Sequence, residues 1–200
     1  ILLENDLSAP GRLPLLLYGK LFPGGIFCHF GWGGSGSGAR NDESLQQSNL
    51  RFSLETLEAA KEMGCGRFLF SGSQAEYGLH TDLITEESAC APRSAYGEAK
   101  LAMREEGEAL ARRLGITYLH GRIFSVYGPG DHPWTLVETC LDACLKGQEF
   151  RMGACTQLWN FLYIDDLARA AAALAELKES EIRNLESPVF NLPGEETKPL

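Results

Sequence analysis

The sequence predicts an α/β fold, a parallel sheet with helices on both faces, continued by a small C-terminal lobe. Short apolar runs alternate with amphipathic helical stretches along the chain. The strand-like runs are nearly continuous in apolar residues, as strands covered on both faces are. The composition agrees, since 200 residues with 44% apolar and 22% charged side chains suit one soluble domain with a sizeable core.

The first strand lies at about 25–31 (GIFCHFG), and a helix follows from about Ser44 to Met63. The second strand is RFLFSGS at 67–73, with a helix from about Ser94 to Leu114 after it, and the third is ITYLHGRIF at 116–124. Beyond come a helix near Thr135 to Lys146, a strand at 158–164 (LWNFLYI), a helix from about Asp165 to Lys178, and PVFNLPG at 188–194. Residues 1–130 are read as one unit and 131–200 as a lobe interleaved with its sheet. Asp165 and Asp166 read as N-cap and first-turn acids. The opening ILLENDLS lacks a strand signal, so the chain reads as a fragment of a longer protein.

Charge and composition exclude several classes. Lys plus Arg number 18 against 27 Asp plus Glu, a net charge of -9, which argues against a nucleic-acid partner. The longest apolar runs, Leu15 to Tyr18 and Ala170 to Ala175, fall far short of the ~20 residues of a bilayer helix. No membrane partner is expected, and a cytoplasmic location is. The cysteines Cys28, Cys65, Cys90, Cys140, Cys144 and Cys155 form no C-x-x-C pair and no metal-spaced cluster, so reduced thiols and no metal are expected. Cys140 and Cys144, four apart on a helix, are expected to be small buried side chains.

Gly31, Gly33 and Gly36 formally satisfy G-x-G-x-x-G after a strand. A phosphate cradle would run straight into an apolar-periodic helix, whereas Ser37 to Glu43 offer nothing to bury. The segment reads as a flexible loop.

The helix from Ser94 aligns Tyr96, Lys100, Met103, Gly107, Leu110 and Leu114 on one face. A lysine on the stripe facing a sheet is costly unless the stripe opens into a cleft; the alternative is a lysine that snorkels past Tyr96 to solvent. Ser71 and Ser73 end the preceding strand at its carboxyl end, where open α/β sheets put their ligands. His29 reads as a core histidine, Arg122 as serving structure or substrate. His80, His120 and His132 have no recognisable Ser or Cys partner, so a hydrolase triad carries little weight.

FLFSGSQAEYG, SAYGEAK, RIFSVYGPG and WNFLYIDDLARA, in that order, resemble motifs of the extended short-chain dehydrogenase/reductases, in the nucleotide-sugar epimerase/dehydratase branch. The resemblance implies a Rossmann-like sheet lacking its first strand-helix-strand unit, and truncation at both ends. It makes Ser73, Tyr96 and Lys100 the catalytic residues and implies NAD or NADP as cofactor, NAD being preferred. Asp6, Leu7, Phe30, Gly31, Trp32, Asn49 and Phe124 match cofactor-side positions, alongside Tyr96 and Lys100. The glycine-rich cradle of the family is absent from the chain.

The implied activity is reversible hydride transfer at C4 of a nucleotide-activated hexose or deoxyhexose, as an epimerase or 4-ketoreductase. A useful tyrosine base needs its phenol lowered by ~3 units, about 4 kcal/mol, which an ammonium at about 4 Å could supply. The family's dehydratases place Asp-Glu after the catalytic hydroxyl residue, where this chain has Gln74 and Ala75, so dehydration is disfavoured. On the substrate side, Ser73 and Tyr96 are joined by Ser125, where many relatives carry asparagine, and Trp159, where many carry a diphosphate-binding arginine. Arg151 is a candidate replacement; Trp134 and Trp159 could stack on a base or pack the lobe. The implied partners are a nucleotide sugar and, in the full-length form, a second copy in a homodimer. A non-catalytic nucleotide-binding sensor and an inactive fragment of the enzyme stand as alternatives.

Overall fold

The computed structural model describes residues 22–36, 38–185 and 187–200. Four parallel strands form the main sheet: β1 (Ile26–His29), β2 (Arg67–Ser73), β3 (Thr117–Ile123) and β6 (Val189–Leu192), in the order β1-β2-β3-β6. Two long helices, α1 (Glu43–Glu62) and α2 (Ala95–Leu114), connect the first three strands. Both lie on one face. Leu50, Leu57 and Ala60 of α1 meet Met103, Leu110 and Ala111 of α2 over Phe68, Phe70 and Tyr118. On the other face Leu69 and Leu119 pack against Leu174 of α4 (Ile164–Ala175), with Phe190 and Leu192 at the margin. The alternation Phe68, Leu69, Phe70 is therefore buried on both sides, which explains the unbroken apolar run.

Local signals set the helix limits. Asp42 caps α1 by accepting the Leu45 N–H, and Ser94 caps α2 by accepting the Gly97 N–H. Gly115, at φ 63°, ends α2 in the left-handed conformation that glycine adopts without a Cβ penalty.

The chain leaves the main sheet at Phe124. It enters a second sheet through β4 (Ser125–Tyr127), which pairs in parallel with β5 (Leu158–Tyr163), itself antiparallel to β7 (Thr197–Pro199). Helix α3 (Leu136–Leu145) precedes β5, and a short α5 (Glu179–Arg183) precedes β6. Because β6 lies between these pieces in sequence and beside β3 in space, residues 131–200 thread between the two sheets. Asp165 and Asp166 both sit in the first turn of α4, but Tyr163 holds the N-cap position, with no side-chain cap. Only Ala143 of α3 is buried, so Cys140 is half-buried and Cys144 exposed rather than interior. All six cysteines are free. Among the described residues no helix is long and apolar enough to cross a membrane, and no group of His, Cys, Asp or Glu is arranged to hold a metal.

Candidate active site

Strand β2 ends at Ser73, where the backbone enters a single 3-10 turn over Gln74–Glu76. Ser73 Oγ accepts the Ala75 N–H at 3.2 Å, and Glu76 reaches back to accept the Ser73 N–H at 2.8 Å, the reciprocal pattern of a capping box. The first turn of α2 is laid against this turn. A Cβ at Gly97 would stand 2.6 Å from the Ala75 carbonyl oxygen, so only glycine allows the approach that brings Tyr96 beside Ser73. The Tyr96 N–H donates to Arg40 O at 2.8 Å, and the Arg40 guanidinium lies 4.6 Å from the centre of the Tyr96 ring.

Lys100, one turn further along α2, is 2% exposed and does not snorkel. Its Nζ donates to Ser71 O at 2.6 Å and lies 3.9 Å from the centre of the Trp32 ring and 4.7 Å from that of Phe70. Burial pulls its pKa down to about 7, with the charge of Glu76 opposing. The lowered phenol expected of a tyrosine base is not what the structure shows. Lys100 is tied to the Ser71 carbonyl and the indole face, 5.7 Å from the Tyr96 ring centre. Burial raises the Tyr96 phenol above its usual range; the Ser73 hydroxyl and the Arg40 charge pull it down, and Glu76 pushes it further up. Tyr96 is accordingly a neutral phenol at pH 7, equipped to donate a proton.

Of the cofactor-side positions, Asp6 and Leu7 lie outside the described residues. Phe30 is half-exposed after β1, and Gly31 and Trp32 are half-buried. Trp32 Nε1 donates to Gln46 Oε1 at 2.8 Å, and its ring meets Tyr96 edge-on at 6.1 Å. Asn49 brackets Gly33, accepting its N–H at 3.1 Å and donating to its carbonyl at 2.8 Å. Gln46 also donates to Gly34 O and Ala39 O. The glycine segment is thus a loop, as its composition predicts, but α1 tethers it at Gly33, Gly34 and Ala39. The Phe124 N–H donates to Leu192 O at 3.2 Å.

These residues fit one part of a dinucleotide. The Lys100 ammonium has three donors, and Ser71 O takes one, which leaves donors for sugar hydroxyls beside the Tyr96 phenol. The diphosphate part finds no cradle among the described residues, since Gly33 and Gly34 are engaged by Asn49 and Gln46.

On the opposite side of Ser73, Gln74 Nε2 donates to Ser125 Oγ at 3.0 Å, linking the serine turn to β4. Ser125 and Trp159 both line a cavity of about 320 Å³, with Val126, Leu136 and Phe161. Trp159 also borders a neighbouring cavity of about 350 Å³, lined by Tyr127, Phe161 and Tyr163. Arg151 borders neither cavity; its side chain is 91% exposed and faces Glu149. Trp134 is 63% exposed and stacks on His132 at 4.2 Å. His29 is interior and bonded to Ser53 Oγ at 2.9 Å; Ser53 in turn donates to Asn49 O, so the pair is structural. His80 bonds to the carbonyls of Tyr77 and Ala89.

Glu76 and Arg40, near the candidate catalytic residues, go unnamed as site candidates in the sequence, and the contact of Gln74 with Ser125 is not legible there either. Glu76 was announced by the S-x-x-E pattern of SQAE, a capping-box signature. Arg40 and Gln74 carry no such signal, because loop geometry alone brings them to Tyr96 and Ser125.

A model of the NAD dependent epimerase/dehydratase family matches residues 25–190. Among curated proteins, GDP-mannose 3,5-epimerase 1 of Oryza sativa subsp. indica is 29% identical over 168 residues, 78% of this chain and 44% of that protein. CDP-abequose synthase of Yersinia pseudotuberculosis is 23% identical over 161 residues, 78% of this chain and 52% of that protein. The UDP-glucuronic acid 4-epimerase of Bacillus cereus, solved in complex with NAD, superposes with a TM-score of 0.75 at 25% identity, over 98% of this chain and 59% of that one. The UDP-glucose 4-epimerase of Thermotoga maritima, solved with UDP-glucose, gives a TM-score of 0.80 at 24% identity, over 96% of this chain and 61% of that one. The chain therefore spans about half the length of the curated relatives it matches. With the match running from the first strand of the Rossmann-like sheet to its last, this chain belongs to the NAD dependent epimerase/dehydratase family.

Proposed function

We propose that the protein is an NAD(P)-dependent nucleotide-sugar epimerase or 4-ketoreductase that moves hydride at C4 of a nucleotide-linked hexose or deoxyhexose. The observation that carries the reading is the convergence of Ser73, Tyr96 and Lys100 at the carboxyl rim of β2. The dinucleotide, when bound, supplies the acceptor and donor of hydride, and NAD is preferred to NADP. Ser73, with Oγ already accepting from Ala75, keeps its proton to donate to the sugar oxygen. Tyr96 passes a proton to and from that oxygen, and in the unliganded protein its phenol is protonated, as donation in ketone reduction requires. Lys100 holds sugar hydroxyls with its spare donors. Asn49 and Trp32 fix the loop wall beside it, while Phe30, Gly31 and Phe124 offer backbone and ring surface. Ser125 and Trp159 face the nucleotide sugar from β4 and β5. Gln74 and Ala75, neither able to exchange protons, support redox at C4 over dehydration. A cytoplasmic homodimer, organised as a 1–130 cofactor unit and a 131–200 substrate lobe, completes the proposal.

The test is Tyr96→Phe in the protein as encoded by its gene, assayed with NAD against UDP-, GDP-, CDP- and dTDP-hexoses. A fall in turnover of about 100-fold or more is expected, with little change in nucleotide-sugar binding; full turnover ends the reading. Stoichiometric need for added reductant separates the ketoreductase from the epimerase.

A further inference from the structure

Beneath Ser73 lies a polar cluster that the reading above leaves unused. Glu76 is fully buried, and Oε1 accepts the Ser73 N–H at 2.8 Å and meets His120 Nε2 at 2.9 Å. Its other oxygen accepts from Arg122 Nε at 2.7 Å. His120, also fully buried, places Nδ1 3.0 Å from the Tyr118 hydroxyl, which lies 3.0 Å from Met103 O. Arg122 Nη2 donates to Cys90 Sγ at 3.1 Å, and the guanidinium lies 4.3 Å from the centre of the Tyr77 ring. Arg122 Nη1 is buried with no partner among the described residues.

The cluster is costly. Buried ion pairs are often no more stable than well-packed apolar residues of similar size, and a buried donor without a partner costs about 1–3 kcal/mol more. The sequence also gives up a side chain for it. A Cβ at Gly72 would collide with His120 Nε2 and stand 2.7 Å from Glu76 Oε1, so glycine between the two serines is what lets the Glu76–His120 contact form. Core filling does not explain a buried carboxylate with two polar partners, whereas a role at Ser73 explains why they stand beneath its amide.

We infer that Glu76, clamped by His120 and Arg122, is a positioning residue that holds the Ser73 amide, and through it the aim of the Ser73 hydroxyl at Tyr96. The inference rests on the catalytic reading of Ser73 and Tyr96 given above. A second consequence is electrostatic. The groups that face the Glu76 carboxylate are Ser73 from β2, Tyr118, His120 and Arg122 from β3, Cys90 from the segment between the 3-10 turn and α2, and Tyr96 and Lys100 from α2, while Arg104 faces Cys90 and Tyr118 and Tyr77 faces Arg122. Burial alone would raise the Glu76 carboxyl, but His120, Arg122 and the Ser73 amide outweigh it and hold the group ionised. Its negative charge then strengthens the hold of Tyr96 and Lys100 on their protons.

Two variants separate position from charge. Glu76→Asp keeps the charge but withdraws it from the amide; Glu76→Gln keeps the reach and removes the charge. In the protein as encoded by its gene, labelled with ¹³Cζ-tyrosine and ¹⁵N, Tyr96 is assigned by loss of its signal in Tyr96→Phe. Glu76→Gln is expected to lower the Tyr96 titration midpoint by about half a unit or more, and Glu76→Asp to leave it in place. Glu76→Asp is expected to speed hydrogen exchange at the Ser73 amide by about tenfold or more. An unmoved midpoint in folded Glu76→Gln, or parental exchange at Ser73 in Glu76→Asp, overturns the inference. If Glu76→Gln does not fold, the exchange measurement in Glu76→Asp decides alone. Neither readout needs turnover. Full activity of Tyr96→Phe would therefore refute the catalytic reading while these measurements still judged the clamp.

Discussion

Replacing Lys100 by methionine should make the protein more stable at neutral pH, although it removes a proposed catalytic group. The ammonium is 2% exposed and has one hydrogen-bond acceptor, Ser71 O. Burial lowers its pKa from 10.5 to about 7, a difference worth about 5 kcal/mol against the folded state wherever lysine is charged in both states. Methionine removes that penalty and fills similar space, but leaves the Ser71 carbonyl without its partner at about 1–3 kcal/mol. A net gain of about 2–4 kcal/mol is expected below pH 7. The pH dependence follows from the direction of the shift. From pH 7 upward the folded state sheds the Lys100 proton before the unfolded chain does, so the parent gains stability up to pH 10.5. The advantage of Lys100→Met should therefore shrink from pH 7 upward, vanish inside that window and turn into a deficit of about 1–3 kcal/mol at its top, where only the lost Ser71 bond remains. Urea unfolding of both proteins at pH 6, 8 and 10 measures it. A variant less stable than the parent at pH 6, or a gap constant with pH, would refute the argument.

Other residues yield shorter tests. Burial, helped by Lys100, lowers the His29 pKa from 6.5 to about 4; the unfolded chain binds a proton first, so stability is lost as pH falls through that window, by about 3 kcal/mol at its lower end. His29→Gln should flatten this acid slope in urea titrations, and an identical slope would speak against it. Asn49→Ala removes both bonds to Gly33 and should cost about 1–3 kcal/mol and raise amide exchange at Gly33; parental protection there would show that the loop is held by other means. Trp159→Arg introduces a cation beside the 320 Å³ cavity and should tighten UDP binding about tenfold by calorimetry, an unchanged affinity placing the diphosphate elsewhere. Gly97→Ala drives a methyl into the Ala75 carbonyl, and a melting temperature equal to the parent's would contradict the close approach described for α2.

Much of the scaffold was legible because its causes are local. Phe68 to Phe70 are buried on alternating faces, and Asp42, Ser94 and Gly115 act within a few residues of themselves. The stripe on α2 also named the face that carries Tyr96 and Lys100. What it could not name was the cover over Lys100, because Trp32 reaches it from a loop that α1 positions through Gln46 and Asn49. His120 and Arg122 read as isolated polar residues in an apolar strand, since their carboxylate lies 44 and 46 residues away in sequence. The exposure of Cys144 escaped for the opposite reason: the helical period of α3 is apolar, yet only Ala143 finds a core to enter.

Phe124 alone separates the last residue of β3 from the first of β4, and its amide is fastened to Leu192. A joint one residue long has no slack to swing on, and Gln74 bolts across it to Ser125. On the function proposed above, sugar choice and proton chemistry would share one stiff frame, and a change of substrate would come from swapping the furniture of the small sheet, as at Trp159, rather than from re-hinging it.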